Sequence, residues 1–243
     1  MSTALVVGAS GTLGGAIARE LGARGYSLAL HCHTHVETCE ALAAELKTGA
    51  GIARCFAADF TDSTAPAALA ASMLREFPQI DAIVWASGIV RDAPVLTMKE
   101  EDLRAVLQID LRAFFLTLKS FSRTFMKQKS GAVLALSSHA ALAGRPGGTA
   151  YAMAHAGILA LVKSAAREWG PLGIRVNALI PPFVPESGMG RAASPEFAAA
   201  AVTKRVLKND VDGPAFLARF AADVLANPGI SGQVLNADSR IAV

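Results

Sequence analysis

The segment AYAMAHAG, residues 150–157, places a tyrosine four residues before a histidine. On a helix this spacing brings Tyr151 and His155 to the same face. When unperturbed, a phenol loses its proton at about pH 10 and an imidazole changes charge at about pH 6.5. The pair therefore indicates proton-transfer chemistry, although a tyrosine at this place can also be a half-buried packing residue.

A carboxylate on an apolar helix face is the second chemical signal. Residues 97–128 predict one long helix whose apolar residues recur at helical spacing. Asp110 lies on that apolar stripe, where a carboxylate is costly unless it is paired. Thr97 and Glu100 match a T-x-x-E capping box, which predicts the start of the helix.

A glycine-rich loop follows the first predicted strand in VVGASGTLGGAIARE, residues 6–20. Gly8, Gly11 and Gly14 allow a sharp turn and a close approach to a pyrophosphate, which would rest on the N-terminus of the next helix. The spacing is G-x-x-G-x-x-G instead of the G-x-G-x-x-G fingerprint. The alternative is a plain strand–helix turn that needs glycine only for its backbone angles.

The segment HCHTH, residues 31–35, ends the second predicted strand and bears on cofactor choice. Sites for NAD place an acid here to bind the ribose 2′-hydroxyl, but the first acid in this chain is Glu37. The space suits a 2′-phosphate, to which His33, Thr34 or His35 could donate, so NADPH is favoured over NADH. A solvated loop and a histidine metal site are the alternatives. We predict no metal site, because no Cys or His elsewhere has metal-ligand spacing.

Short apolar runs alternate with longer amphipathic runs along the chain. Such order predicts a single-domain, Rossmann-type α/β fold over residues 1–243. Its doubly wound sheet would hold about seven parallel strands with helices on both faces. The predicted strands are residues 4–7, 27–31, 53–57, 82–86, 132–136, 175–179 and 233–237, and the predicted helices are residues 12–24, 36–48, 65–77, 97–128, 150–170 and 214–226.

Composition excludes several classes of protein. The 243 residues are 52% hydrophobic and 18% charged, which argues against disorder. A net charge of +3 is too small for a nucleic-acid binder, and we predict neither a membrane span nor a targeting segment. Cys32, Cys39 and Cys55 lack disulfide or CxxC patterning, so we expect free thiols and a cytoplasmic protein.

With these residues in view, the chain resembles the short-chain dehydrogenase/reductase family along nearly its whole length. Within the family it is most similar to the 3-oxoacyl-[acyl-carrier-protein] reductases. The resemblance is carried by GASGTLG (8–14), AADFTD (57–62), WASG (85–88), ALSSHAALAGRPGGTAYAMAHAG (135–157), LVKSAAREWGPLGIRVNALIPP (161–182) and GISGQVLNAD (229–238).

The resemblance implies a role for each matching position. Ser138 would hold the substrate carbonyl, and Tyr151 would protonate its oxygen as hydride reaches the carbon. Asp59 would meet the adenine, and Pro181 and Val184 would flank the nicotinamide. The implied cofactor-binding residues are Gly8, Ser10, Gly11, Thr12, Leu13, Gly14, His33, Thr34, Asp59, Phe60, Ala86, Ser87, Gly88, Tyr151, His155, Pro181 and Val184.

Two positions depart from the family pattern. The family motif Y-x-x-x-K ends here at His155, and the usual asparagine of the long helix is Asp110. The missing lysine matters because a nearby ammonium makes tyrosine a better acid. A carboxylate beside an imidazole favours imidazolium, so we predict a Ser138–Tyr151–His155–Asp110 catalytic site in which the acid–histidine pair replaces lysine. The alternative is that both changes are drift.

Three functions are compatible with this sequence. The first is NADPH-dependent reduction of a 3-oxoacyl thioester on an acyl carrier protein, in fatty-acid-like or specialised biosynthesis. The second is a catalytically impaired subunit that partners an active paralogue in a hetero-oligomer. The third is a reductase or dehydrogenase of another small ketone or alcohol. Selectivity among substrates is expected in residues 183–209.

Partners are indicated only weakly. The resemblance implies a homodimer or homotetramer, assembled through the long helix and the helix that starts near Tyr151. Four basic residues could face an acidic carrier protein or be ordinary solvated charges; they are Lys127, Lys129, Arg167 and Arg175.

Overall fold

The computed structural model describes residues 2–47, 51–207 and 213–240. Its centre is one seven-stranded sheet in the order β3-β2-β1-β4-β5-β6-β7, in which every neighbouring pair is parallel. The strands are β1 (Thr3–Val7), β2 (Ser27–Cys32), β3 (Ala53–Ala57), β4 (Ala82–Trp85), β5 (Gly131–Leu136), β6 (Ile174–Ile180) and β7 (Val234–Asn236). The predicted fold class and all seven predicted strand positions are confirmed.

Helices cover both faces of the sheet, which explains why its central strands are continuous apolar runs. Helices α3, α5 and α7 pack on one face, and α1, α2 and α10 pack on the other, each set over its own apolar core. The helices are α1 (Thr12–Ala23), α2 (Val36–Glu45), α3 (Ala65–Glu76), α4 (Glu100–Val106), α5 (Ala113–Gln128), α6 (Ala140–Ala143), α7 (Thr149–Trp169), α8 (Gly188–Arg191), α9 (Pro195–Thr203) and α10 (Pro214–Ala226).

The order of the strands reverses at β1, which lies between β2 and β4. At its carboxyl end Val7 is in register with His31 of β2 and Trp85 of β4. The loops that follow these three strands therefore meet at one edge of the sheet. Ligands of doubly wound sheets bind in the crevice at such a switch point.

The predicted long helix 97–128 is interrupted. A π-helical turn, Leu107–Arg112, separates α4 from α5 and contains Asp110. π-turns insert one extra residue and occur mostly at functional sites. The predicted capping box is wrong: α4 begins at Glu100 after Lys99, and the Thr97 hydroxyl donates to the carbonyl of Pro94 (3.4 Å) because Thr97 belongs to the preceding turn.

Arg175 is a structural residue and not a docking charge. Its guanidinium donates to the carbonyls of Val224 and Leu225 at the end of α10 and to the carbonyl of Ile230 beyond it. Burial lowers the pKa of Arg175. Satisfying the last carbonyls of a helix is a common use of arginine. Arg175 is thereby removed from the four candidate contacts with a carrier protein.

Some predicted segments extend past what the structure describes. The helix predicted over 36–48 ends at Glu45, and residue 48 lies outside the described residues, as do residues 208–209 of the predicted selectivity segment. Within the segment 183–209, α9 follows its N-cap Ser194, whose hydroxyl accepts from the backbone N–H of Phe197. Within the described ranges, every helix is too short or too polar to cross a bilayer.

Candidate active site

The glycine loop passes so close to its surroundings that side chains are excluded. Gly8 has φ +80°, and a Cβ there would lie 2.8 Å from the carbonyl oxygen of Ala86. A Cβ on Gly14 would lie 2.2 Å from the carbonyl oxygen of Gly8. The first and third glycines are therefore required because neighbouring backbone leaves no room for a side chain. The spacing of glycines in the sequence does not show this.

The same loop delivers an open helix N-terminus. Gly11 is the N-cap of α1, and no side chain among the described residues caps this end. Unpaired N–H groups and the helix dipole favour an anion here. The predicted loop residues Ser10, Thr12 and Leu13 flank the turn and are all partly exposed. The loop thus fits the pyrophosphate of a dinucleotide.

His31 holds the glycine loop in place. Its Nδ1 accepts from the backbone N–H of Gly8 (3.3 Å), its Nε2 contacts the Ala58 carbonyl (3.1 Å), and its ring stacks on Phe60 at 4.4 Å. The two hydrogen bonds assign the proton to Nε2. Burial lowers the pKa of His31 to about 4, so the ring is neutral at pH 7. Sequence reasoning placed His31 correctly at the end of the second strand but missed this role.

The loops after β2 and β3 form the next part of the cleft. His33 and Asp59 are both about half exposed, and Nε2 of His33 lies 3.5 Å from Oδ2 of Asp59. Asp59 also accepts from the backbone N–H of Thr61, which lowers its pKa first, and His33 lowers it further. Thr34 is exposed beside them. Phe60 differs: it is 4% exposed and stacks between His31 and Trp85, inside the core.

Asp110 fastens the loop after β4. Its Oδ1 accepts from the backbone N–H of Ile89 at 2.9 Å. A Cβ on Gly88 would lie 3.2 Å from Oδ2, so glycine permits this approach. The loop residues Ala86, Ser87 and Gly88, which the family resemblance assigned to the cofactor, are thereby anchored to the π-helical turn.

The predicted partnership of Asp110 with His155 is present in the structure. Oδ2 of Asp110 lies 3.4 Å from Nε2 of His155, and the two residues are 0% and 4% exposed. The helices carrying them pack closely at Gly157, where a Cβ would lie 2.6 Å from the side chain of Leu111. The π-helical turn and a helical glycine therefore position an acid against a histidine across two elements.

Tyr151 lies directly over this pair. Its ring centroid is 4.1 Å from that of His155, with the planes tilted by 42°. Its phenol oxygen lies 3.9 Å from the sulfur of Met189 on α8. The tyrosine is thus in contact with the buried acid–histidine pair on one side and with the segment after β6 on the other.

Burial controls the protonation of this site. It raises the pKa of Asp110 above its ordinary value, and interactions with His155 and Ile89 lower it by less. It also raises the pKa of Tyr151, to which the Asp110 charge adds, while the Ser138 hydroxyl and Arg145 oppose the rise. Oδ2 of Asp110 and Nε2 of His155 approach to 3.4 Å without forming a hydrogen bond, and neither these atoms nor Nδ1 of His155 have another hydrogen-bond partner among the described residues. Orphaned buried groups of this kind fit a missing ribose hydroxyl or water.

Ser138 has a structural contact as well as its predicted one. Its Oγ accepts from the backbone N–H of Ala140 at 3.2 Å, at the start of α6. Its neighbour Ser137, which sequence reasoning missed, donates from Oγ to the carbonyl of His155 at 3.1 Å. Ser137 therefore ties the end of β5 to α7, so that Ser138 and Tyr151 are held together.

The segment after β6 closes the opposite wall. Val184 is buried at 4% exposure, whereas Pro181 is half-buried. Arg145 donates to both carboxylate oxygens of Asp92 (2.7 Å) and lies 5.0 Å above the ring of Phe197 in α9. Ion-pair and cation–π contacts therefore join this segment to the loops beside Ser138 and Tyr151.

Comparison with known proteins agrees with this geometry. A family model described as short chain dehydrogenase matches residues 2–198, and the chain belongs to this family of oxidoreductases, whose members bind a nicotinamide cofactor. It is 35% identical to the 3-oxoacyl-[acyl-carrier-protein] reductase of Synechocystis sp. over 181 residues, covering 74% of this chain and 73% of that protein.

Two further relatives match nearly the whole chain. Nodulation protein G of Rhizobium sp. (strain N33) is 31% identical, over 99% of this chain and 96% of that protein. A crystal structure of a dehydrogenase/reductase from Sinorhizobium meliloti 1021 superimposes with a TM-score of 0.88 at 27% identity, covering 98% of this chain and 94% of that one.

Gly14→Ala is expected to weaken binding of the nicotinamide cofactor by about tenfold or more, since the new Cβ displaces the turn that presents the N-terminus of α1. The overlap with the Gly8 carbonyl should also lower the free energy of unfolding by about 1–3 kcal/mol. Fluorescence titration and urea unfolding measure the two effects. Gly170→Ala is the matched control, because Gly170 has helical φ and open space around it; equal losses in both variants would contradict the prediction.

Protonation of His31 at acid pH should lower the free energy of unfolding. Because its folded pKa of about 4 lies below its ordinary 6.5, the neutral ring stabilises the fold above pH 6.5, and that stability is lost as the pH falls towards 4. The complete loss corresponds to about 3 kcal/mol. Urea unfolding at pH 7.5, 5.5 and 4.5 should show a weaker pH dependence in His31→Gln than in the exposed-site control His33→Gln. Identical pH dependence in both would exclude His31 as the cause.

Asp110→Asn should stabilise the protein in a pH-dependent way. The raised pKa means that ionised Asp110 destabilises the fold at pH values above it, whereas below the unfolded pKa both states are neutral and the effect vanishes. The amide keeps an oxygen for Ile89. We expect a higher melting temperature than the natural protein at pH 8, by about 2–4 °C for each kcal/mol, and equal values only near pH 3, below the ordinary carboxyl pKa. A lower melting temperature at pH 8 would show that the ion pair outweighs desolvation.

Proposed function

We propose that this protein is an NADP-dependent reductase that converts a 3-oxoacyl thioester, carried on an acyl carrier protein, to the 3-hydroxyacyl form. The observation that carries the proposal is the meeting of Ser138, Tyr151, His155 and Asp110 at one place beside the switch-point crevice. The name of the Synechocystis relative supports this substrate class.

The roles of the side chains follow from their positions. When bound, the reduced nicotinamide supplies the hydride. Ser138 orients the substrate carbonyl through its hydroxyl, and Tyr151 gives its phenolic proton to the oxygen that gains charge. The glycine loop holds the pyrophosphate, and the loop fastened by Asp110 forms the wall of the cofactor cleft.

His155 and Asp110 together replace the family lysine. If the two buried groups share one proton, the pair has no net charge. With the proton on His155, an imidazolium lies against the ring of Tyr151 and stabilises the phenolate left after proton transfer. With the proton on Asp110, this help is absent. The position of the shared proton therefore sets the activity of the site.

A 2′-phosphorylated cofactor is supported by the loop after β2. The described residues 31–35 hold no acid, and His33 and Thr34 are exposed where the ribose of the adenosine half would reach. Asp59 is nearby, but it is engaged with His33 and Thr61. We expect His33 and Thr34 to donate to the phosphate.

The acyl part of the substrate would lie against α8 and α9. Met189 on α8 is 40% exposed and its sulfur contacts the phenol of Tyr151. Phe197 on α9 packs edge-on against Phe183 at 5.5 Å. Flexible and aromatic apolar side chains of this type suit an alkyl chain. A small ketone of another kind would use the same site and differ only at these residues.

An oligomer is supported by apolar residues left exposed on α5 and α7. Phe115, Met126 and Met153 are each 40% or more exposed on helices that otherwise cover the core. A homodimer or homotetramer would bury them. A hetero-oligomer with an active paralogue would use the same faces.

A catalytically impaired partner subunit is the second candidate, and one observation favours it. Burial raises the pKa of Tyr151, whereas proton donation at neutral pH requires the opposite. If the shared proton stays on Asp110, the site binds cofactor but turns over poorly. The protein would then contribute structure to an assembly with an active relative.

The two candidates are separated by NADPH oxidation with a short 3-oxoacyl thioester between pH 5.5 and 9. If the protein is a reductase, turnover should exceed that of Tyr151→Phe by about 100-fold or more, and Asp110→Asn should shift the limb of the pH–rate profile. A profile unchanged by Asp110→Asn would contradict the acid–histidine mechanism.

His155→Lys restores the family motif and serves as the second variant. If the natural protein is inactive and His155→Lys gains turnover, the pocket is intact and the partner-subunit function is correct. If neither protein turns over while both bind NADPH, the thioester is the wrong substrate.

A further inference from the structure

Three cysteines that are distant in sequence converge at the β2–β3 side of the sheet. Cys32 ends β2, Cys39 lies in α2 and Cys55 lies in β3. Their sulfur atoms all lie within 4.8 Å of one another, and those of Cys32 and Cys55 are 3.6 Å apart. In the described ranges this is the one group of three or more potential metal-ligating side chains so close together. The proposed reaction uses none of them.

The distances suit three sulfurs around a shared atom. A disulfide would need an S–S contact of about 2.05 Å, far shorter than the 3.6 Å observed. Three sulfurs that each bond one central atom at about 2.3 Å lie roughly 3.4–4.0 Å from one another. The separation of Cys32 and Cys55 already falls in this range, and an inward shift of Cys39 would place all three thiols around one atom.

The surroundings select for an uncharged complex. Cys32 and Cys39 are 1% and 0% exposed and belong to an apolar core cluster with Leu30 and Leu42. An ion whose complex with the three thiolates kept a net negative charge would be disfavoured in these apolar surroundings.

We propose that Cys32, Cys39 and Cys55 form a three-thiolate site for a trivalent thiophilic metalloid, represented by arsenite. Three As–S bonds form while three As–OH bonds break, and the three thiol protons leave with the three hydroxides as water. Arsenic stays trivalent and the product carries no charge. Zinc prefers four ligands, and three thiolates on Cu(I) or Zn(II) would leave negative charge in the core.

The site is accessible from one side. Cys55 is partly exposed on β3, the edge strand of the sheet, and its side chain packs on the α2 face with Cys32 and Cys39. The Cys39 thiol donates to the Leu30 carbonyl at 3.4 Å and gives up this weak contact on binding. An occupied site would cross-link β2, α2 and β3 next to the loop of residues 33–35.

Arsenite titration of the full chain, without oxygen and with a phosphine reductant, tests the proposal. Native mass spectrometry should show one arsenic atom per chain, and thiol titration should show the loss of all three cysteines. Cys55→Ser and Cys39→Ser should each weaken arsenite binding by about tenfold or more. Phenylarsine oxide, which takes two thiols, should still bind Cys39→Ser.

Three results would overturn the site. Arsenite could bind while fewer than three thiols are lost, or Cys55→Ser could bind arsenite as tightly as the natural protein does. Zn(II) or Cu(I) could also protect all three thiols at a lower concentration than arsenite does. Thiol loss that requires peroxide would indicate a Cys32–Cys55 disulfide instead. His33→Asn and His35→Asn are the controls and should bind arsenite as the natural protein does. If Cys39→Ser fails to fold by circular dichroism, the partly exposed Cys55→Ser decides alone.

Discussion

The candidate site depends on one buried carboxylate. Asp110 accepts from the backbone of Ile89 with one oxygen and faces His155 with the other. It thereby joins the loop after β4, the π-helical turn and α7, which belong to different parts of the chain. A charge in this position is expensive, so the fold tolerates it only through these contacts. The position of the loop and the electrostatics of the candidate site are set by the same group.

This arrangement gives the site an acid–histidine pair where the family motif has a lysine. A lysine carries a positive charge at neutral pH, whereas an acid–histidine pair offers a positive charge only while the histidine is protonated. Burial is the largest cause of the raised pKa values of both Asp110 and Tyr151. Any change that lets water into the pocket, or that closes the pocket over substrate, would therefore shift the pKa values of both groups in the same direction.

Much of the architecture was predictable because local patterns specify it. Continuous apolar strands, amphipathic helices and the glycine loop gave the right fold class, all seven strand positions and the right family. Asp110 on an apolar stripe was a sound reason to look for a partner. The capping box at Thr97 was wrong because a turn competed for the same hydroxyl, and the π-helical turn has no pattern that periodicity detects.

The sequence by itself determined which chemical groups exist and which element carries each one, since periodicity and turn chemistry are local properties. Only the tertiary structure decided their neighbours. It placed His31, with a neutral ring, in a hydrogen bond to the glycine loop. It also directed Arg175 to the carbonyls of α10 and brought the sulfurs of Cys32, Cys39 and Cys55 close together. These outcomes depend on contacts between distant segments and on desolvation. Desolvation is a sum over all surrounding atoms, so no short stretch of sequence contains it.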